Sequence, residues 1–460
     1  MLTIEWIVQQ TQSHLLNPSD SLPISTFSID TRTLQPGNFF IALSGSQTDG
    51  HLFLDEAFQK GASGALIHNL DIKKIPKHWR NLVCVNNTLK ALHDLASAYR
   101  AEFQIPIIAV TGSSGKTTTK ELIAHLLSKQ FRTYKSPGNF NSEYGLPLAL
   151  LEMPKETEAA VFELGLQRPG DIRLLAELLQ PNIGVITRIG EAHLEFFHTP
   201  DKIADEKWKL IESLPKPDGL AILNADSPYL HNKVFSGRKI WFGAENSQAQ
   251  IRLIHQDSTH IEGLAVTLQT PKGKFEAMTH LLGNYNGLNI AAAWAMAAQL
   301  GLSTKTIQEA LRHFSGVPHR MELKKSKLGW ILDDSYNANP SAVKEAIQTL
   351  QKLELPKYKK IFVFGEMREL GEFSIQAHCE IAEAISKSDI AQIFLVGSHA
   401  EEIVRYLISQ AQWPATRVIQ ATDKSDLFQK VTTTLSGNRN LILVKGSRAN
   451  LLEKLVDALV

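Results

Sequence analysis

The chain is poor in cysteine, with two thiols, Cys84 and Cys379, in 460 residues. Two cysteines so far apart exclude a metal knuckle and a disulfide framework, and a reducing cytoplasm fits such usage. Long apolar runs are missing as well. The best candidate, IAAAWAMAA at 290–298, is about half of what a bilayer core requires and reads as a buried helix, so no membrane insertion is expected. The first residues, MLTIEWIVQQTQ, carry an acidic residue and no basic region ahead of an apolar core, so they do not read as a secretory signal. Neither charge is in surplus: 48 Lys and Arg face 47 Asp and Glu, a formal net charge of +1. That balance provides no broad field for nucleic acid, which is not expected as a partner, and any phosphate ligand must be held by a local pocket. Absent too is G-x-G-x-x-G after any strand-like run, which removes the main support for a nicotinamide dinucleotide site.

With 43% apolar and 21% charged residues the composition is that of a globular protein, and its length exceeds what one core usually organises. Three parts are expected, all α/β. Residues 1–104 alternate short apolar segments with turn chemistry such as LQPGNFF and end in a helical pattern. Residues 105–316 alternate strand-like runs (IPIIAV, AAVFELG, NIGVITRIG, GLAILNAD, KIWFGA) with helical stretches, the pattern of a mainly parallel sheet with helices on both faces. Residues 317–460 repeat that alternation through WILDDS, KKIFVFGE, AQIFLVG, RVIQA and NLILVKGS, the pattern of a C-terminal domain resembling a dinucleotide fold.

The most informative segment is VTGSSGKTTTKE at 110–121, between an apolar run and an amphipathic stretch. Gly112 and Gly115 let the backbone curl so that the N–H groups from Ser113 to Thr118 face one anion; Lys116 adds a point charge and Thr117 a hydroxyl for a magnesium ion. ATP is the expected ligand. The spacing is G-x-x-G-K-T, with Val110 where the commoner loop carries its first glycine. Glu163 ends the run AAVFE and His193 follows the run NIGVIT, so both are placed at carboxyl ends of strands, where ligands of such sheets collect. Lys207, in DKIADEKWKL, reads by itself as a solvated helix charge.

In this order the segments TGSSGKTTTKE, GNFNSEYGLPL, FELGLQRPGDI, ITRIGEAHLEFF, GNYNGLNIAAA, DDSYNANPSAVKEAI, VFGEMRELGEFS and LVKGSRANLLEKLV resemble the Mur ligases of peptidoglycan synthesis. SIDTRTLQPGNFFIALSGSQTDGHLF in the first part resembles the family's UDP-binding region. The resemblance implies an ATP-dependent amide ligase joining D-alanyl-D-alanine to UDP-N-acetylmuramoyl-tripeptide through an acyl phosphate, working as a monomer with two magnesium ions. It implies that Lys116 contacts the β- and γ-phosphates, and that Thr117 binds the nucleotide's magnesium. The resemblance further implies that Glu163, His193 and a carboxylated Lys207 hold the second ion. Asn289 is implied near the adenine, and Arg320 and Asp334 at the phosphates and ribose. For the sugar nucleotide the implied contacts are Thr31, Arg32, Ser46, Gln47, Thr48, Asn141 and Ser142; for the incoming dipeptide, Glu366, Arg368, Lys445, Ser447 and Arg448. Two positions depart from the family pattern: Ser142 replaces an asparagine of N-x-N-N, and Arg188 replaces the asparagine of T-N-I-G. The rival expectations are a sister ligase that adds a single amino acid, a folylpolyglutamate synthase, and a P-loop switch that performs no ligation.

Overall fold

In the computed structural model the described residues are 2–19, 24–45, 48–71, 75–190 and 194–460. Their strands form three sheets, of five, nine and six strands. The chain divides into two compact units, one made of residues 1–109, 132–165 and 170–182, the other of residues 110–131, 166–169 and 183–460.

In the first unit the five-stranded sheet has the order His14–Leu16, Leu82–Cys84, Gly64–Ile67, Phe39–Ile41, Phe27–Ser28. Phe40, Ala65, Ile67 and Leu82 bury one face against Leu54 and Ala57 of the helix Leu54–Gln59. The same unit contains the parallel pair Thr133–Lys135 and Ala159–Glu163, every residue of the latter buried. A strand buried on both faces is expected to be continuously apolar up to its end, and AAVF followed by Glu163 follows that rule.

In the second unit, six strands of the nine-stranded sheet run in the order Gly273–Thr279, Leu264–Thr270, Ile251–Asp257, Arg238–Gly243, Leu220–Asn224, Ile183–Ile186. The last four are parallel; the runs at Arg238–Gly243, Leu220–Asn224 and Ile183–Ile186 are those the sequence predicts, whereas Ile251–Asp257 and the antiparallel Leu264–Thr270 and Gly273–Thr279 extend the sheet beyond the runs expected. Their signature is strict alternation: LAVTLQT buries every second residue. The segment at 290–298 lies in the helix Tyr285–Gln299 and is almost wholly buried, in agreement with its apolar composition.

The third sheet has the order Glu322–Ser326, Gly329–Asp334, Asn440–Lys445, Lys359–Phe364, Gln392–Leu395, Val418–Gln420, parallel except for its first pair. Period two sorts its side chains into two cores. Phe362, Phe364, Leu441 and Leu443 pack with Val343, Ile347 and Ile381 on one face; Ile361, Val363, Ile442 and Val444 pack with Leu427, Val431 and Val456 on the other. Both faces are therefore covered by helices, and the polar residues that end these strands, Asp334 and Lys445, gather at one carboxyl edge in register.

Candidate active site

The phosphate loop joins the strand Ile107–Thr111 to the helix Lys116–Leu127, the strand, turn and helix order expected. Gly115 caps the helix at a φ of +81°, and a Cβ there would lie 2.3 Å from Asn289 Oδ1, so the position requires glycine. Gly112 is required by close approach: a Cβ would meet the Thr187 hydroxyl at 1.9 Å. The loop is fastened from outside. Ser113 N–H donates to the Arg188 carbonyl at 2.6 Å, its hydroxyl donates to Gly190 O at 3.0 Å, and the Thr187 hydroxyl donates to Ser114 O at 2.6 Å. Asn224 in turn donates to Thr187 O at 2.9 Å. With the loop pinned in this way, the amides and dipole of the helix N-terminus keep a fixed aim, which favours an anion. Lys116 Nζ folds back to donate to Gly112 O at 2.9 Å, while Thr118 is buried in the same first turn.

Residues far apart in sequence converge here. Asn289 Oδ1 accepts from the Thr119 hydroxyl at 3.3 Å, and its amide donates to Asn286 Oδ1 at 2.8 Å, which fixes its orientation. Arg320 Nη2 stands 3.5 Å from Thr117 Oγ1 and stacks its guanidinium over Tyr336 at 4.0 Å. Ser114, Gly115 and Asn289 line a cavity of about 530 Å³, within the range of small-molecule sites. The Asp334 carboxylate accepts from Met321 N–H at 3.2 Å and from Lys445 Nζ. Lys445 also donates to Asn337 O at 3.0 Å and is 2% exposed, so it is a buried partner of Asp334.

Of the three residues implied at the second ion, His193 lies outside the described residues. Glu163 is buried at the end of its strand, and one carboxylate oxygen accepts from the Asn141 amide at 2.9 Å; both belong to the first unit. Lys207 belongs to the second unit and corrects the surface expectation, since it is 0% exposed. Its helix Pro200–Glu212 starts from Thr199, whose hydroxyl accepts from Lys202 N–H, with proline at the first position. The buried positions are Ile203, Ala204, Lys207, Trp208, Leu210 and Ile211. Spacing of four residues thus already placed Lys207 in the apolar stripe, a signal present in the sequence but masked by the charge of the side chain.

Three family models match the chain: Mur ligase family, catalytic domain over residues 23–100; Mur ligase middle domain over 110–297; and Mur ligase, glutamate ligase domain over 319–448. The UDP-N-acetylmuramoyl-tripeptide--D-alanyl-D-alanine ligase of Bacillus subtilis (strain 168) is 35% identical over 464 residues, covering 100% of this chain and 98% of its own. The chain belongs to the Mur ligase family. Among solved structures, MurF from Acinetobacter baumannii matches at a TM-score of 0.85 with 28% identity, covering 99% of this chain and 98% of the other. MurF ligase from Thermotoga maritima in complex with ADP matches at 0.80 with 29% identity, covering 94% and 96%.

For this Mur ligase the residues implied at the dipeptide gather at the carboxyl edge of the third sheet. Glu366 N–H donates to Asn450 Oδ1 at 3.2 Å and its carbonyl accepts from Ser447 N–H at 2.9 Å. Its carboxylate receives the Ser398 hydroxyl at 2.6 Å, the Ser398 N–H at 3.0 Å and Arg368 Nε at 2.6 Å. Arg448 points outward to Glu453 at 2.7 Å. Burial pushes the Glu366 carboxyl up, but the Ser398 and Arg368 hydrogen bonds outweigh it and hold it at about 2, against an ordinary 4.5. A folded value below the unfolded one contributes stability above pH 4.5 that is lost as pH falls through about 2. Denaturant unfolding at about pH 6 and about pH 3 checks this. The wild type is expected to lose more stability on acidification than Glu366→Gln, and equal losses count against the assignment.

The positions implied at the sugar nucleotide are less convergent. Thr31 is buried and donates its hydroxyl to Glu56 at 3.0 Å; Arg32 is exposed and paired with Asp30; Thr48 accepts from Gly45 N–H at 2.9 Å. Ser142 Oγ accepts from Gly145 N–H at 3.3 Å at the start of the helix Gly145–Leu151. Ser46 and Gln47 lie outside the described residues. Not anticipated from sequence were Thr187, Asn224 and Asn286, which position the loop and Asn289 through hydrogen bonds that no sequence spacing announces.

Proposed function

We propose that this chain is an ATP-dependent ligase that joins D-alanyl-D-alanine to UDP-N-acetylmuramoyl-tripeptide through an acyl phosphate, as a cytoplasmic monomer. The observation that carries it is the full-length similarity to a ligase of that name at 35% identity. Residues 1–104 hold the UDP end, 105–316 hold ATP, and 317–460 contribute to ATP and to the dipeptide.

A carboxylate in water resists attack by an amine because resonance and charge protect its carbon, so a phosphoryl group must first make an oxygen into a leaving group. The tripeptide carboxylate attacks the γ-phosphorus of ATP and ADP departs; the dipeptide amine then adds to the acyl carbon and phosphate is expelled. Two anions have to approach in the first step. The amides at 114–118 and the Lys116 ammonium aim fixed positive charge at the transferring group, which is where such catalysis acts. The Ser113 N–H, expected to face the anion with them, is instead bonded to the Arg188 carbonyl. Arg320, stacked over Tyr336 beside Thr117, adds a guanidinium donor for the phosphates, and Asn289 faces the cavity that would take the base. Asp334, fixed by Lys445, takes the ribose hydroxyls.

Each donor by itself suits magnesium, a hard cation that prefers oxygen: in the second unit a loop hydroxyl at Thr117, and in the first a buried carboxylate at Glu163. An ammonium at Lys207 would repel a cation and is costly to bury, whereas its carbamate is an anion suited to the same ion with His193. When bound, magnesium would screen the anionic oxygens and stabilise charge on the transferring phosphoryl group. At the dipeptide end, Arg368 offers a guanidinium for a carboxylate, with its own partner Glu366 kept ionised.

Release of ADP in a coupled assay tests the reaction. It is expected to require UDP-N-acetylmuramoyl-tripeptide and D-alanyl-D-alanine together, with a background rate when either is omitted. Equal stimulation by a single diamino acid or by folate in place of the dipeptide would overturn the substrate assignment.

A further inference from the structure

Arg188 is bonded to the phosphate loop by its main chain and leaves it by its side chain. Its carbonyl accepts from Ser113 N–H at 2.6 Å, and it pairs with Ser114 in an antiparallel bridge, so its Cα moves with the loop. Its guanidinium crosses to Glu345, on the helix Pro340–Lys352. Both side chains line the 530 Å³ cavity with Ser114, Gly115 and Asn289. The helix that carries Glu345 is anchored on its other face, where Val343, Ala346, Ile347 and Leu350 enter the core of the third sheet. The pair therefore ties two bodies of packed structure together across a binding cavity.

The two ends are unequal. The Arg188 side chain is 47% exposed, that of Glu345 only 17%, and burial pushes the Glu345 carboxyl up despite the guanidinium beside it, with Lys445 and Asp334 also near. An exposed pair is worth little, but a carboxylate largely withdrawn from water loses much more when the cation bonded to it is removed. Glu345 thus depends on Arg188 for its place, and Arg188 depends on the loop.

We propose that Arg188 is a positioning residue for the nucleotide, acting through Glu345 as a clasp that holds the helix Pro340–Lys352 against the phosphate loop and so sets the width of the cavity. This rests only on the nucleotide part of the reading above, and ADP binding is measured without any ligation. In isothermal titration of the full chain with ADP, Arg188→Gln and Glu345→Gln are each expected to weaken the affinity about tenfold. The double variant is expected to be no weaker than the weaker single one, because both remove the same contact. The exchange Arg188→Glu with Glu345→Arg is expected to regain at least half of the lost affinity in logarithmic terms. A merely structural pair would lower the thermal midpoint and leave the ADP affinity within twofold, which overturns the proposal. So does a loss seen in Arg188→Gln and not in Glu345→Gln, which would make Arg188 a direct ligand of the nucleotide instead. Failure of D-alanyl-D-alanine to support turnover would leave these titrations unaffected, so the two assignments fail separately.

Discussion

Lys116→Ala is expected to lower the rate of ADP release supported by both substrates by about 10³-fold, while the thermal midpoint stays close to that of the wild type. Lys116 is half-buried at the first position of its helix, and its ammonium rests on the Gly112 carbonyl rather than in any apolar core, so little packing is lost with it. What is expected to be lost is a unit charge beside a group whose negative charge is redistributed during transfer, at a site where water screens less than in bulk. Lys116→Arg is expected to recover only a small part, since a planar fork cannot take the place of a compact ammonium inside the loop. Circular dichroism and steady-state kinetics on the same preparations check both halves. An alanine variant with activity within tenfold of the wild type would remove Lys116 from the chemistry and leave it as a loop brace.

Much of this was legible in the sequence because it is local. A strand, a turn with two glycines, a lysine and a helix lie within 107–127, and the chemistry of that turn follows from contiguous residues. The alternation of apolar runs with helical stretches likewise announced two sheets with helices on both faces, and period-two sorting of residues such as Ile361 and Phe362 into opposite cores is its physical content. What stayed hidden depends on packing over long separations. The strands at 264–279 alternate cleanly, yet alternation alone does not say that they extend a parallel sheet from its side. The attachment of Asp334 to Lys445, 111 residues away, arises only when two strands align in register. The Arg188 to Glu345 contact spans 157 residues and two layers of structure. Charge type misleads in one place: taken alone, Lys207 reads as a solvated helix charge, although its spacing from Ile203 and Ile211 puts it on the buried face.

That buried lysine carries the second large effect. Lys207→Met keeps the length and the apolar character of the stripe formed by Ile203, Trp208 and Ile211, and is expected to leave the chain folded, because a hydrocarbon chain of similar volume fills the same space. Activity in the same variant is expected to fall by about 10²- to 10³-fold. A residue that served only the fold would give the opposite pattern, with stability lost and activity per folded molecule kept. Lys207→Ala leaves a cavity in which a small acid fits, so formate, acetate or propionate is expected to restore part of the rate, in an order set by length. Depleting bicarbonate is expected to slow the wild type reversibly and to leave the variants untouched, since the carbamate forms from carbon dioxide and the neutral amine. If Lys207→Met retains activity within tenfold, or if no carboxylic acid raises the rate of Lys207→Ala, the anionic form of this side chain is excluded, and the cation site proposed at Glu163 must draw its remaining charge from elsewhere.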